Sequence, residues 1–302
     1  MTATDGSWRG EAAATLVTDE MAVTVLPRRG AKIASIVDVR SGREWLEPPN
    51  GVIGERREYG SVFTDGDMSG WDEMVPTIVS CEYPAEPHQG ARLPDHGEVW
   101  AVEWTVKRDG DTLVCSTAGR ALPYRFSRTL RAEGPTLWLD YELAVDGPGP
   151  LWLLWAAHPQ FAVHETGTRI VLPPDVHHLV DDMADPAIVG WPSTSLETSA
   201  RLPEGVGRKL YVPPEHEVGS ASLVDGDGSW LRLAWDPAVV PYLGIWLDNR
   251  AYSRRPVIAL EPTTGYYDNL AVAYSTKRVP MIHPAAPLRW TVEVTVGKGA
   301  EK

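Results

Sequence analysis

The stretch Thr136-Leu137-Trp138-Leu139-Asp140-Tyr141-Glu142-Leu143-Ala144-Val145 decides the fold class. Leu137, Leu139, Tyr141, Leu143 and Val145 fall on one side of an extended chain, and Trp138, Asp140 and Glu142 on the other. Successive side chains of a strand point to opposite faces, so this period of two marks a half-buried strand. The turn Asp146-Gly147-Pro148-Gly149 follows, and then the apolar run Leu151–Ala157. Upstream, Glu98–Lys107 alternates in the same way, with Trp100, Val102, Trp104 and Val106 on one face. Asp109-Gly110 turns the chain into Thr112–Thr117, which predicts a hairpin.

The same pattern extends in both directions. Met21–Leu26 and Lys32–Val39 flank Pro27-Arg28-Arg29-Gly30, and a turn at Arg40–Arg43 leads into Glu44–Leu46. Further strands are expected at Arg169–Leu172, Ser220–Val224, Trp230–Trp235, Tyr242–Leu247, Val257–Glu261 and Leu288–Val296. The 26 prolines and 27 glycines punctuate these runs, and no segment carries a helical period of useful length. The expectation is an all-β chain, a large antiparallel sandwich with few or no helices. Residues 1–302 are read as one domain, with residues 173–214 as long loops over a sheet.

Composition narrows the function classes. The 302 residues hold 28 Lys+Arg against 41 Asp+Glu, a net charge of −13, which disfavours phosphate backbones and hence nucleic acid as a partner. There is no run of eighteen apolar residues and no basic-then-apolar leader pattern, so a cytoplasmic protein without membrane contact is expected. Cys81 and Cys115 make neither a disulfide framework nor a zinc motif and read as buried free thiols. Thirteen Trp and ten Tyr against three Phe favour flat apolar faces with polar handles, which suit a pyranose ring as well as a core.

Three ionisable positions stand out. His158 is delivered by an apolar run, with Pro159 expected to stop the strand behind it. A core histidine bonded to a backbone carbonyl would look the same. Glu261 ends the apolar run Val257–Leu260, where burial raises a carboxyl pKa and suits a general base; the alternative is an ion pair with Arg254 or Arg255. His96, in Asp95-His96-Gly97-Glu98, could donate to a ligand hydroxyl or simply bond to Asp95. Trp71, between Gly70 and the acids Asp72 and Glu73, reads as a ring platform beside hydroxyl acceptors, or as a core anchor in a surface loop. His177 and His178 are adjacent and point to opposite faces of a strand, a poor metal pair. No nucleophile elbow, phosphate loop or zinc-protease motif is present.

In their order along the chain, these segments resemble the aldose 1-epimerase (galactose mutarotase-like) superfamily. The resemblance rests on Val25–Ile36 with Gly42–Leu46, on Gly70-Trp71-Asp72-Glu73-Met74-Val75-Pro76-Thr77-Ile78, and on Asp95-His96-Gly97 with Glu103-Trp104. It also rests on Ala157-His158-Pro159-Gln160-Phe161 and on Leu260-Glu261-Pro262-Thr263-Thr264-Gly265. It implies a β-supersandwich and an isomerase that interconverts the α and β anomers of a neutral free sugar. Glu261 would act as base on the anomeric hydroxyl and His158 as acid on the ring oxygen. His96, Trp71, Asp72, Glu73, Trp246 and Asp248 would contact the sugar. No metal or cofactor is implied, and a monomer or homodimer is expected. The chain departs from the family at Trp100, where many relatives carry an arginine, and at Gln160, where they carry a tyrosine. Arg56 and Arg57 are the candidates for a second family arginine. A non-catalytic carbohydrate-binding protein is the alternative on this fold, and a glycosidase or lyase pairing Glu261 with Asp72 or Glu73 is a third reading.

Overall fold

The computed structural model describes residues 2–49, 53–183 and 187–299. The opening stretch is a strand over its full predicted length, Thr136–Val145, and its odd-numbered residues are buried as the alternation requires. It lies inside an eight-stranded antiparallel sheet, between Tyr124–Glu133 and Leu288–Lys298. A second, twelve-stranded sheet carries at its middle Lys32–Asp38, Gly70–Met74, Ala156–Ala162, Val257–Thr263, Tyr242–Asn249 and Val206–Tyr211, in that order. One continuous apolar cluster draws on both sheets, including Trp71, Phe126, Leu139, Trp155 and Trp290. The architecture is an all-β sandwich of large antiparallel sheets. Among the described residues one α-helix occurs, Leu270–Ser275, capped by the Asn269 side chain.

Several expectations are corrected. The alternating segment Glu98–Lys107 is a strand only from Thr105 on. Its earlier residues bury Trp100 and Trp104 in turns instead, with the indole N–H groups donating to the carbonyls of Asp95 and Val99. The backbone there bonds out to other segments, Glu98 N–H to Val75 and Trp104 N–H to Pro27, so alternate burial arises without a ladder. Residues 173–214 are not loop throughout. They carry the strands His178–Asp181, Ala187–Gly190 and Val206–Tyr211. The run Leu151–Ala157 breaks into Leu151–Trp152 and a new strand from Ala156.

Pro159 does not end that new strand, and Glu261 does not end its own. Both runs continue, to Ala162 and Thr263. The two strands pair at Ala156↔Thr263 and again at Phe161↔Ile258, leaving the ladder open between. Pro159 and Pro262, which have no N–H to donate, fall in that opening, where proline is tolerated inside a sheet.

Candidate functional site

The register of this open ladder puts His158 opposite Glu261. On its other side the strand Ala156–Ala162 pairs with Gly70–Met74, where His158 faces Asp72. Register partners share a face, so His158, Glu261 and Asp72 project together from the side of the large sheet that faces away from the small one. Lys209, Gln160 and Lys32 project from that face too, and all six are buried.

His158 Nε2 and Glu261 Oε1 are 3.9 Å apart, close enough to act on one small group and too far for a direct hydrogen bond. The Gln160 side-chain amide meets His158 Nδ1 at 3.3 Å, which leaves Nε2 as the nitrogen turned toward Glu261. The other carboxylate oxygen of Glu261 accepts from Lys209 Nζ. That ammonium also lies 3.2 Å from Asp268, which in turn accepts from the Tyr211 hydroxyl. Asp72 pairs with Lys32 at 2.9 Å, and Lys32 also donates to the carbonyls of Asp67 and Ser69. Among the described residues, Glu261 Oε1 and Gln160 Oε1 accept no hydrogen bond.

Burial sets the electrostatics. It pushes the Glu261 carboxyl up from its ordinary 4.5, against the pull of Lys209. It holds His158 well below 6.5, with the nearby His96, Lys209 and Lys32 acting in the same direction. Burial likewise pushes Asp72 up to about 6, although Lys32 opposes the shift. For Lys209, burial works against the charge, but Asp268 and Glu261 outweigh it and the ammonium is held above its usual value.

His96 joins this group. Its backbone is left-handed (φ 57°), its Nδ1 is 3.0 Å from Asp95, and its ring stands edge-on to His158 at 5.4 Å. Gly97 makes the approach possible, since at φ 76° a Cβ there would lie 2.2 Å from the Val75 carbonyl. Phe63 covers the histidines. Its ring stacks on His96 at 4.2 Å and stands edge-on to His158 at 5.1 Å, while its N–H donates to Asp95.

Not every sequence candidate lies here. Trp71 and Glu73 occupy alternate positions to Asp72 and face the sandwich interior, so the expectation that they line the cleft is corrected. Glu73 accepts from Arg128, Tyr141 and Trp155 at 2.5, 2.9 and 2.8 Å across the two sheets. Adjacent strand residues cannot share a face, which is why the grouping fails. Asp248 lies on the outer face but is spent locally, accepting the N–H groups of Ala251, Tyr252 and Ser253. Trp246 is half-buried beside Tyr252, 5.8 Å between rings. The alternative partner for Glu261 also changes, since Arg255 pairs with Glu47 instead. Arg56 is on the surface with Glu103, and Arg57 donates to Asp65. Cys115 is buried, Cys81 is half-buried, and both are free. Among the described residues no group of three His, Cys, Asp or Glu is placed to hold a metal, and no helix is long and apolar enough to cross a membrane.

Sequence reading missed Lys209, Lys32, Asp268 and Phe63, and met Gln160 only as a departure from the family pattern. Lys209 sits in Val206–Tyr211, whose first half is incompletely buried and shows no alternation.

By sequence, no family model and no curated relative matches the chain. Solved structures do. A galactose mutarotase-like protein from Lactobacillus casei superposes with a TM-score of 0.74 at 15% identity, over 94% of this chain and 100% of that one. The fold is that of the galactose mutarotase-like proteins. A second such protein, from Clostridium acetobutylicum, gives a TM-score of 0.74 at 11% identity over 99% of both chains. A galactose mutarotase related enzyme from Lactobacillus acidophilus gives 0.69 at 12% identity, over 96% of this chain and 99% of that one. The shared feature is therefore the path of the chain, with few residues in common.

Proposed function

We propose that this protein is an aldose 1-epimerase acting on a neutral free sugar, with Glu261 and His158 as the acid–base pair. The observation that carries the reading is the 3.9 Å separation of His158 Nε2 and Glu261 Oε1 on one face of the sheet. In a pyranose the anomeric hydroxyl and the ring oxygen are bonded to the same carbon. A base for one and an acid for the other must therefore be near neighbours, as these two are. Glu261 as carboxylate takes the proton from the anomeric hydroxyl while the imidazolium of His158 protonates the ring oxygen and the C1–O5 bond opens. Rotation about C1–C2 and closure with the proton transfers reversed deliver the other anomer. Two positioned proton-transfer groups of this kind typically contribute about 10²–10⁴-fold each. The carboxylate of Asp72 suits hydroxyl donors of the ring.

A glycosidase pairing of Glu261 with Glu73 is opposed by geometry, because Glu73 faces the other way and is committed to Arg128; Asp72, the other candidate carboxylate, shares the face of Glu261 and is paired with Lys32. Carbohydrate binding without chemistry has one observation in its favour. Lys209 lies against Glu261 and lowers its basicity.

Saturation-transfer NMR between α and β anomers, run over common hexoses and pentoses, separates these readings. The wild type is expected to exchange well above buffer, and Glu261→Gln to fall by at least a hundredfold. Wild-type exchange equal to buffer for every sugar overturns catalysis, and calorimetric sugar binding without exchange selects the binding protein.

A further inference from the structure

The same outer face of the large sheet holds a cavity of about 740 Å³ beside the catalytic pair. That volume lies within the usual range for small-molecule sites. Gln160 belongs to both places. It lines the cavity, and its amide contacts His158 Nδ1 at 3.3 Å. Ser69 and Asp67 also line the cavity, and their carbonyls fix the Lys32 ammonium that pairs with Asp72.

Two buried acceptors belong to side chains lining this cavity. Gln160 is 3% exposed and Glu47 9% exposed. Gln160 Oε1 and Glu47 Oε2 accept no hydrogen bond among the described residues. Buried acceptors of this kind are costly unless a donor reaches them. Glu47 already has Arg255 on its other oxygen at 2.9 Å, and Arg9 and Arg254 line the cavity as well, so the wall offers guanidinium donors beside the two free acceptors and suits the mixed donor and acceptor hydroxyls of a sugar. A flat apolar surface completes the cavity wall. Tyr252 is 54% exposed, and its backbone is held by the fully buried carboxylate of Asp248. A tyrosine whose loop is fixed in this way presents its ring without the entropic cost of ordering it.

We propose that this cavity is a subsite for a second, non-reducing sugar unit, so that the preferred substrate is a reducing disaccharide or longer oligosaccharide. The inference rests on the anomeric reading for the reducing ring, whose anomeric hydroxyl meets Glu261 and whose ring oxygen meets His158. The second unit stacks on Tyr252 and donates hydroxyls to Glu47 and Gln160.

The test compares maltose and lactose with glucose and galactose, in anomeric exchange and in calorimetric Kd, for the wild type, Tyr252→Ala and Tyr252→Phe. Tyr252→Ala is expected to raise KM and Kd for the disaccharides about tenfold, the scale of losing one stacking face, and to leave the monosaccharides unchanged. Tyr252→Phe keeps the face and is expected to behave as wild type. Equal effects on both sugar classes, no effect on either, or no disaccharide binding at all overturns the subsite. Disaccharide binding that depends on the Tyr252 ring, without exchange of any sugar, overturns the catalytic reading and leaves the subsite standing.

Discussion

His158 and Glu261 are displaced toward each other in proton affinity. Burial drives the carboxyl up from 4.5 and the imidazole down from 6.5. A pair that exchanges the roles of acid and base between the two anomers benefits from this convergence, because neither direction of transfer is then strongly uphill. The working state holds one proton between the two groups. Above the window the pair loses it, and below the window both groups are protonated and no base remains. A bell-shaped profile of kcat/KM against pH is expected, its limbs belonging to the pair. Lys209 depresses Glu261, so removing that ammonium in Lys209→Met raises the carboxyl pKa further. The acid limb then moves to higher pH, which stopped exchange measurements across pH 4–9 would show. An unmoved acid limb in that variant would sink the assignment of Glu261 as the base. His158 and Glu261 themselves were legible as residues because each closes an apolar run. Their partners were not, since Lys32 and Lys209 are charged residues inside weakly patterned strands that burial alone reveals.

At the scale of elements, the irregular chain that carries Phe63 is what closes the site. Phe63 is 2% exposed, and together with the sheet it leaves His158 only 7% exposed. Any sugar reaching His158 must displace or slide beneath this ring. Phe63→Ala opens the space and restores water to the imidazole. Desolvation is the largest cause of the lowered His158 pKa, so the expected result is a rise toward 6.5, read by NMR titration of the histidine ring protons. No change in that titration would show that Phe63 does not shield the ring. The two central strands were readable from their apolar runs, but their ends were not. Pro159 and Pro262 resemble strand stops in sequence, and in the sheet they sit where the ladder between Ala156 and Phe161 is open. Glu98–Lys107 shows the converse case. Its alternation reports burial of Trp100 and Trp104 correctly and misreports the hydrogen bonding, because period two records which side chains are covered and says nothing of where the N–H groups go.

Across the whole molecule, a fully buried ionic cluster ties the two sheets. Arg128, from the strand Tyr124–Glu133 of the smaller sheet, reaches Glu73 on the larger one, and both are fully buried. Tyr141 and Trp155 donate to the same carboxylate. Arg128 lies on the buried face of its strand together with Tyr124, Phe126 and Leu130, and the packing of the sheets shows what an inward arginine is for. Replacing one partner strands a charge in an apolar interior, so Arg128→Met is expected to cost about 3–5 kcal/mol. The double variant Arg128→Met with Glu73→Gln removes both charges and should regain most of that loss, in a cycle measured by urea denaturation. Because Glu73 faces away from His158, the double variant should still interconvert anomers at the wild-type rate once folded. Equal instability of the single and double variants would mean that the cluster stabilises by shape rather than by charge. Loss of exchange in a stable double variant would instead place the inner face within reach of the chemistry, against the alternation that separates Glu73 from Asp72.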